Sequence, residues 1–348
     1  MEKNKIKKFF KGESISLSRF MHKCLYDKDL GFYQNNKIGS HFTTSPEISQ
    51  TFGECIAIFL FRVSNDFGVN KFLELGPGNG TLMSDIIRTM SKISKKKFLF
   101  YLYEKSNFLK KIQSKTLAKY NSNPPKIFNI QNLKLKKKPY LFFCNEFFDA
   151  LPLNQIVKKK DLLFEKRIKH TDGKFKWKEY LIENKNLNFL SNGDVWEYSP
   201  LTNLYIKKIL NHIKKFGGGF LVIDYGPYIK KNISTIQAIY KSKKCDILDF
   251  PFFSDITYHF DFSNLKKISE DFNLKFHGPI NQRQFLYFNG INERINILIN
   301  QTQDNTIKKK LSMQFQRLTD PLGMGELFKF VFISKNDLNF SYFKRSPK

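Results

Sequence analysis

Gly76, Gly78 and Gly80 alternate with Pro77 and Asn79 directly after the run Phe72-Leu73-Glu74-Leu75, and Glu104 closes the next apolar run, 98–103. Glycines spaced this way let the backbone pass close to a ligand, and a helix opening behind them offers free N–H groups. An acid at the end of the neighbouring strand accepts hydrogen bonds from ribose hydroxyls. The set is the equipment of a nucleotide-like cofactor site. A dinucleotide asks for G-x-G-x-x-G, but counting from Gly76 the sixth position is Thr81. A P-loop is excluded because no Gly-Lys-Ser/Thr follows. S-adenosyl-L-methionine has no pyrophosphate for a third glycine to cradle, so the segment from Glu74 through Gly76, Pro77 and Gly78 to Gly80, with Glu104, is read as its binding site.

A second constellation follows the run Leu141-Phe142-Phe143-Cys144. There Asn145, Glu146 and Asp149 stand within five residues. At the end of a strand in such a sheet, polar groups face the reacting end of the cofactor and are candidates to hold a methyl acceptor. Methyl transfer is an in-line displacement governed by alignment and desolvation. A guanidinium acceptor, with a pKa above about 12, needs carboxylates to orient it and to take a proton as the new bond forms. Glu146 and Asp149 are the candidates, unless Asn145 and Asp149 merely cap a following helix. Asp224, Asp255 and Asp261 are weaker candidates, each equally readable as a turn or a cap, and His259 reads better as a structural histidine than as a general base. Asn123-Pro124-Pro125-Lys126 imitates an amino-methyltransferase motif but lacks its aromatic residue and precedes the wrong strand.

The elements that must hold these residues alternate. A helix entering a turn is expected over 12–35, with Ser14, Ser16 and Ser18 as possible caps. Thr44-Ser45-Pro46-Glu47 reads as a capping box opening one helix to residue 65, whose buried stripe is Ile48, Phe52, Ile56, Phe59 and Val63. Strands are expected at 71–75, 98–103, 127–133, 140–144, 220–223 and 327–333, the last closing the sheet. Helices are expected at 82–90, 106–120 and 201–215. Residues 263–315 read as mostly helical, and 155–200 as a β-rich insertion. The fold class is therefore α/β, a Rossmann-like sheet with helices on both faces, an N-terminal helical extension and a β-rich insertion. The expected organisation is an extension over 1–66 and a core from 67–154, 201–262 and 317–335. Insertions at 155–200 and 263–316 would form a substrate-binding subdomain.

Composition narrows the class. The chain has 348 residues with 41% hydrophobic and 26% charged, a globular balance. No apolar run approaches the roughly 18 residues of a membrane span. Cys24, Cys55, Cys144 and Cys245 form no CxxC pair and the 6 histidines are scattered, so neither a metal nor a disulfide framework is expected. The formal charge is +28, yet 51 of the 59 basic residues are Lys rather than the bidentate Arg of phosphate and base recognition. The excess is read as compositional drift, and nucleic acid is not the expected partner. The N-terminus shows neither signal nor transit character, so a bacterial cytoplasm is expected, with the mitochondrial matrix as the alternative.

Several segments together resemble the MidA-type methyltransferases, the family of the mitochondrial complex I assembly factor that modifies arginine. They are GFYQNNKIGSHFTTSPEISQTFGE at 31–54, LELGPGNGTLMSDI at 73–86, NEFFDALPLNQ at 145–155 and GGGFLVIDYG at 217–226. SDITYHFDF at 254–262, GPINQRQFL at 278–286 and RLTDPLGMGELFK at 317–329 follow in the same order. The resemblance implies a class I methyltransferase fold and symmetric dimethylation of an arginine in a complex I peripheral-arm subunit. It implies that Thr43, Thr44, Ser45, Pro46 and Glu47 close over the cofactor and that Asn145, Glu146 and Asp149 face the acceptor. Ser40-His41-Phe42 departs from the family's Gly-Asp-Phe. A methyltransferase for RNA or a small molecule, or a cofactor-binding assembly chaperone without turnover, are the alternatives.

Overall fold

The computed structural model describes residues 14–39, 43–120, 126–129, 133–340 and 343. Ser40-His41-Phe42, the Asn123-Pro124-Pro125 decoy and residues 130–132 of an expected strand lie outside them. The chain divides into two compact units. One gathers 1–36, 148–205 and 230–259; the other gathers 37–147, 206–229 and 260–348. These bounds cut across the expected ones: the N-terminal extension splits at residue 36, and 263–316 joins the larger unit.

In the first unit, β1 (Ile15–Ser16) leads into helix α1 (Leu17–Tyr26), where the Ser16 hydroxyl accepts the Arg19 N–H as N-cap. Of the three candidate serines, Ser16 is the cap. A short α2 (Phe32–Asn35) follows.

The larger unit opens with α3 (Ser45–Ile48) and α4 (Gln50–Phe67). The single expected helix is broken at Ser49, whose backbone is extended and whose hydroxyl caps α4. The apolar stripe survives the break, and Ile48, Phe52, Ile56, Phe59 and Val63 are all buried. Then come β2 (Lys71–Leu75), α5 (Thr81–Ile93), β3 (Leu99–Tyr103), α6 (Asn107–Leu117), β4 (Lys126–Asn129) and β5 (Tyr140–Asn145).

The β-rich insertion belongs to the first unit: β6 (Asn154–Lys159), β7 (Leu162–Thr171), β8 (Lys174–Ile182) and β9 (Val195–Tyr198). With β1 they form a five-stranded antiparallel sheet in the order β1-β7-β6-β9, β8 pairing with β7. Ile156, Leu187 and Leu190 fill its small core. After α7 (Pro200–Phe216) and β10 (Gly218–Tyr225) come β11 (Gln237–Tyr240), β12 (Lys243–Cys245) and β13 (Asp255–Thr257), a three-stranded sheet of the first unit.

The chain ends with α8 (Phe262–Asp271), β14 (Lys275–Asn281), α9 (Gln282–Phe288), α10 (Ile291–Asn300), α11 (Asn305–Thr319), α12 (Met324–Leu327) and β15 (Phe328–Ser334). Two expectations change here. The mostly helical stretch contains β14, an edge strand, and β15 lies inside the sheet between β14 and β10. The seven-stranded order is β14-β15-β10-β5-β2-β3-β4, with β15 antiparallel to both neighbours and β4, β3, β2, β5 and β10 parallel.

Strand order reverses at β2, which pairs with β3 on one side and β5 on the other. The crevice beyond the carboxyl ends of strands at such a switch point is where ligands bind. Leu141 and Phe143 of β5 pack with Phe72, Phe52, Phe59 and α9 on one face. Phe142 turns to the other, its ring against His212 of α7. Among the described residues no helix is long and apolar enough to cross a membrane.

Candidate functional site

The turn after β2 is built for close approach. Gly76, Gly78 and Gly80 all take positive φ, at 63°, 52° and 82°, where a side chain is strained. A Cβ on Gly76 would stand 2.6 Å from the Phe147 ring, and one on Gly78 3.0 Å from Ile38. Pro77 is buried between them. The Gly76 N–H donates to the Tyr103 carbonyl at 2.9 Å, tying the loop to the end of β3. Gly80 is the N-cap of α5 and brings no side chain to it, so the first turn of that helix keeps its N–H groups for other acceptors.

Two acids flank the loop. Glu74 on β2 is buried, and its Oε2 has no hydrogen-bond partner. Burial, then the nearby Glu104 carboxylate, push its pKa up to about 8. Glu104 Oε1 accepts the N–H groups of Lys105 (2.7 Å) and Ser106 (2.8 Å), while Oε2 takes one long bond from Gln113 at 3.4 Å. Burial raises the Glu104 pKa against those donors. Gln113 of α6 also donates to the Gly78 carbonyl at 2.8 Å, so one buried amide joins the acid to the loop. A buried carboxylate with open lone pairs is costly unless a cation or hydroxyl arrives. S-adenosyl-L-methionine brings an ammonium, a sulfonium and a ribose diol, and these residues fit it.

The segment before α4 meets the loop through one side chain. Glu47 Oε1 accepts from the Thr81 hydroxyl (2.7 Å) and the Asn79 amide (3.1 Å). Asn79 exchanges two further bonds with the backbone of Ile38, at 2.8 and 3.2 Å. The expected capping box does not form: Thr44 is the N-cap of α3, but its side chain makes no cap bond. Ser45 gives its hydroxyl to Gln282 of α9 at 3.1 Å, Pro46 is buried and Thr43 is exposed. Of these five residues Glu47 alone bonds to the loop among the described residues. Sequence spacing paired it with its own helix; the loop residues outcompete the cap.

At the end of β5, Glu146 has φ of 51°, uncommon for a residue with a side chain. Its N–H donates to the Ile223 carbonyl of β10 at 2.9 Å, which fixes the turn. The Asn145 amide holds Glu146 Oε1 at 2.9 Å, and Asn145 Oδ1 has no hydrogen-bond partner though buried. Strained backbone that is held this firmly marks functional positions. No helix follows, so Asn145 and Asp149 are not caps. Asp149 belongs to the first unit, where it is buried and its carbonyl accepts the Tyr258 N–H at 3.0 Å.

The weaker candidates separate. Asp261 caps α8 by accepting the Asn264 N–H at 2.9 Å. Asp224 is fully buried and accepts the N–H of Tyr225 at 2.8 Å. His259 has its pKa lowered by burial. Asp255, in the first unit, accepts the Tyr33 hydroxyl at 2.7 Å and is pushed up to about 6 by burial against that bond and the Ile256 N–H. Sequence reasoning missed Gln113 and Asn79. Gln113 carried no signal, and Asn79 stood in plain view as a spacer between glycines.

A family model described as "Putative S-adenosyl-L-methionine-dependent methyltransferase" matches residues 55–280. The chain is 29% identical to a Xenopus laevis protein named "Protein arginine methyltransferase NDUFAF7, mitochondrial", over 91% of this chain and 80% of that one. For the Caenorhabditis elegans homolog of that name the identity is 28%, over 89% and 81%. For the Homo sapiens protein it is 27%, over 91% and 79%. All three names say mitochondrial, the alternative compartment rather than the expected one. A Burkholderia thailandensis crystal structure with S-adenosyl-homocysteine bound superposes with a TM-score of 0.84 at 21% identity, covering 99% of this chain and 93% of that one. At that identity the likeness speaks to the fold.

Proposed function

Since the chain belongs to the family of S-adenosyl-L-methionine-dependent methyltransferases whose model spans residues 55–280, we propose that it methylates an arginine side chain of a protein, a peripheral-arm subunit of respiratory complex I. The arginine reading is supported by the names of its curated relatives and by carboxylates at the end of β5. The cofactor, when bound, supplies an electrophilic methyl group on a sulfonium.

Everything else falls to the chain. The bare Cα positions of Gly76, Gly78 and Gly80, beside Pro77, admit the cofactor closely. Glu104 takes the ribose hydroxyls, and Glu74 offers its charge to a cationic group. Within the Thr43–Glu47 segment, Glu47 holds the loop in shape through Asn79 and Thr81. Glu146, pinned by Asn145, orients the guanidinium so that one nitrogen points at the methyl carbon. With the methyl donor in place, the guanidinium nitrogen that takes the methyl group would shed its proton to the Glu146 carboxylate. Repeating the transfer on the other terminal nitrogen gives the symmetric dimethyl product.

The observation that carries this reading is Glu146 in its left-handed backbone conformation with its carboxylate fixed by Asn145. Glu146→Gln keeps size and shape and removes the charge and the base. Methyl transfer should fall by about 10²- to 10⁴-fold, while cofactor affinity measured calorimetrically stays within about twofold. An unchanged rate removes Glu146 from the chemistry.

A further inference from the structure

The larger unit carries a groove of about 560 Å³ lined by α4, the C-terminal half of α5 and the α9–α10 turn. Arg88 and Lys92 follow Thr81 by 7 and 11 residues on α5, so this wall lies roughly 10 to 16 Å along the helix from the glycine loop. Nothing in the proposed transfer uses it.

Its floor is ionic and paired. Buried Glu54 takes Arg88 and Arg294, each at 2.7 Å, and Arg88 also reaches Asp85 at 2.9 Å. Its sides are apolar and open: Ile93, Tyr287, Phe288 and Ile297 are 40 to 47% exposed. Two cations on the lining, Arg62 and Lys92, are exposed and make no ion pair among the described residues. Glu293 is the exposed acid of the same lining. Asn289 is buried in the wall; its amide donates to the Phe285 carbonyl at 2.8 Å, but its Oδ1 has no hydrogen-bond partner.

We propose that this groove docks an acidic segment of the methyl-accepting protein, one that carries an apolar side chain beside its carboxylates. The inference rests on the protein-substrate reading above and adds where that substrate is held. Exposed aromatic rings next to exposed cations fit an apolar anchor flanked by carboxylates. A second copy of this chain, with a formal charge of +28, would bring cations toward Arg62 and Lys92. Nucleic acid would leave the apolar walls uncovered by charge. Docking at a distance also lets the reacting arginine be chosen by its protein and not only by its neighbours in sequence.

The test uses the full-length enzyme, the purified complex I subunit, and a short peptide carrying the acceptor arginine alone. R62E/K92E reverses two exposed charges, and Phe288→Ser removes an anchor surface without touching a charge. Both variants should weaken binding of the intact subunit about tenfold or more, and wild-type binding should loosen as salt rises. Methylation of the short peptide should be unchanged. Equal subunit affinity in wild type and variants overturns the groove, as does a wild-type enzyme that does not bind the subunit. Equal loss of peptide methylation overturns it too, because the variants would then act on the enzyme at large. If the subunit binds through the groove and no arginine is methylated, the groove stands and the proposed acceptor falls.

Discussion

Glu74 shows how one side chain couples burial to binding. Its ordinary pKa is 4.5, and burial with Glu104 nearby raises it to about 8. The folded, ligand-free protein therefore keeps a proton that the unfolded chain gives up above about 4.5. This group makes the fold less stable as pH climbs from 4.5 to 8. On the proposed binding, a cationic cofactor group beside Glu74 would reverse the preference and expel the proton. Cofactor affinity should rise with pH between about 6 and 8, by up to about tenfold per unit, and level off above. Calorimetry in buffers of different ionisation enthalpy should register proton release at neutral pH. A flat or falling affinity would mean that Glu74 does not meet a cation. The glycines were legible in the sequence because the positive φ of the turn demands them, and Glu104 and the Asn145–Glu146 pair because they are polar residues directly after apolar strands. Gln113 and Asn79 were not, because a buried amide linking distant segments leaves no periodicity.

Among the elements, the segment before α4 departs most from its sequence pattern. The Thr44–Glu47 spacing satisfies a capping box, yet Glu47 serves Asn79 and Thr81 while the chain breaks at Ser49. Its work is to fix the glycine loop. Glu47→Ala should cost about 1.5 to 3 kcal/mol in chemical denaturation, from the charged acceptor lost to two donors. It should also weaken cofactor binding by about tenfold; an effect on stability without one on binding would make Glu47 a purely structural tie. The central strands were read from apolar runs, since β2, β3, β5 and β10 are buried on both faces. The edge strand β14 hid behind its polar residues and the Gly278-Pro279 step, which interrupt alternation. β15 was found, but its place between β14 and β10 was not, because sequence order does not fix sheet order.

At the scale of the whole molecule, the first unit is assembled from three separated stretches of chain. The β-rich insertion was legible by its charged alternation; the return of 1–36 and 230–259 to the same unit was not. The charge of +28 resides largely in lysines, and exposed Arg62 and Lys92 stand out only because of the apolar groove beside them. In the proposed reaction, methyl groups pass from S-adenosyl-L-methionine to one arginine of a complex I subunit. The direct measurement incubates purified enzyme, cofactor and subunit and maps the subunit by tandem mass spectrometry, with Glu146→Gln as control. Two added methyl groups on a single arginine, one on each terminal nitrogen and absent with the variant, are the predicted result. A subunit whose arginines stay unmodified while the enzyme binds its cofactor would contradict the assigned acceptor, and methyl groups on lysine or on RNA would give the site a different reaction.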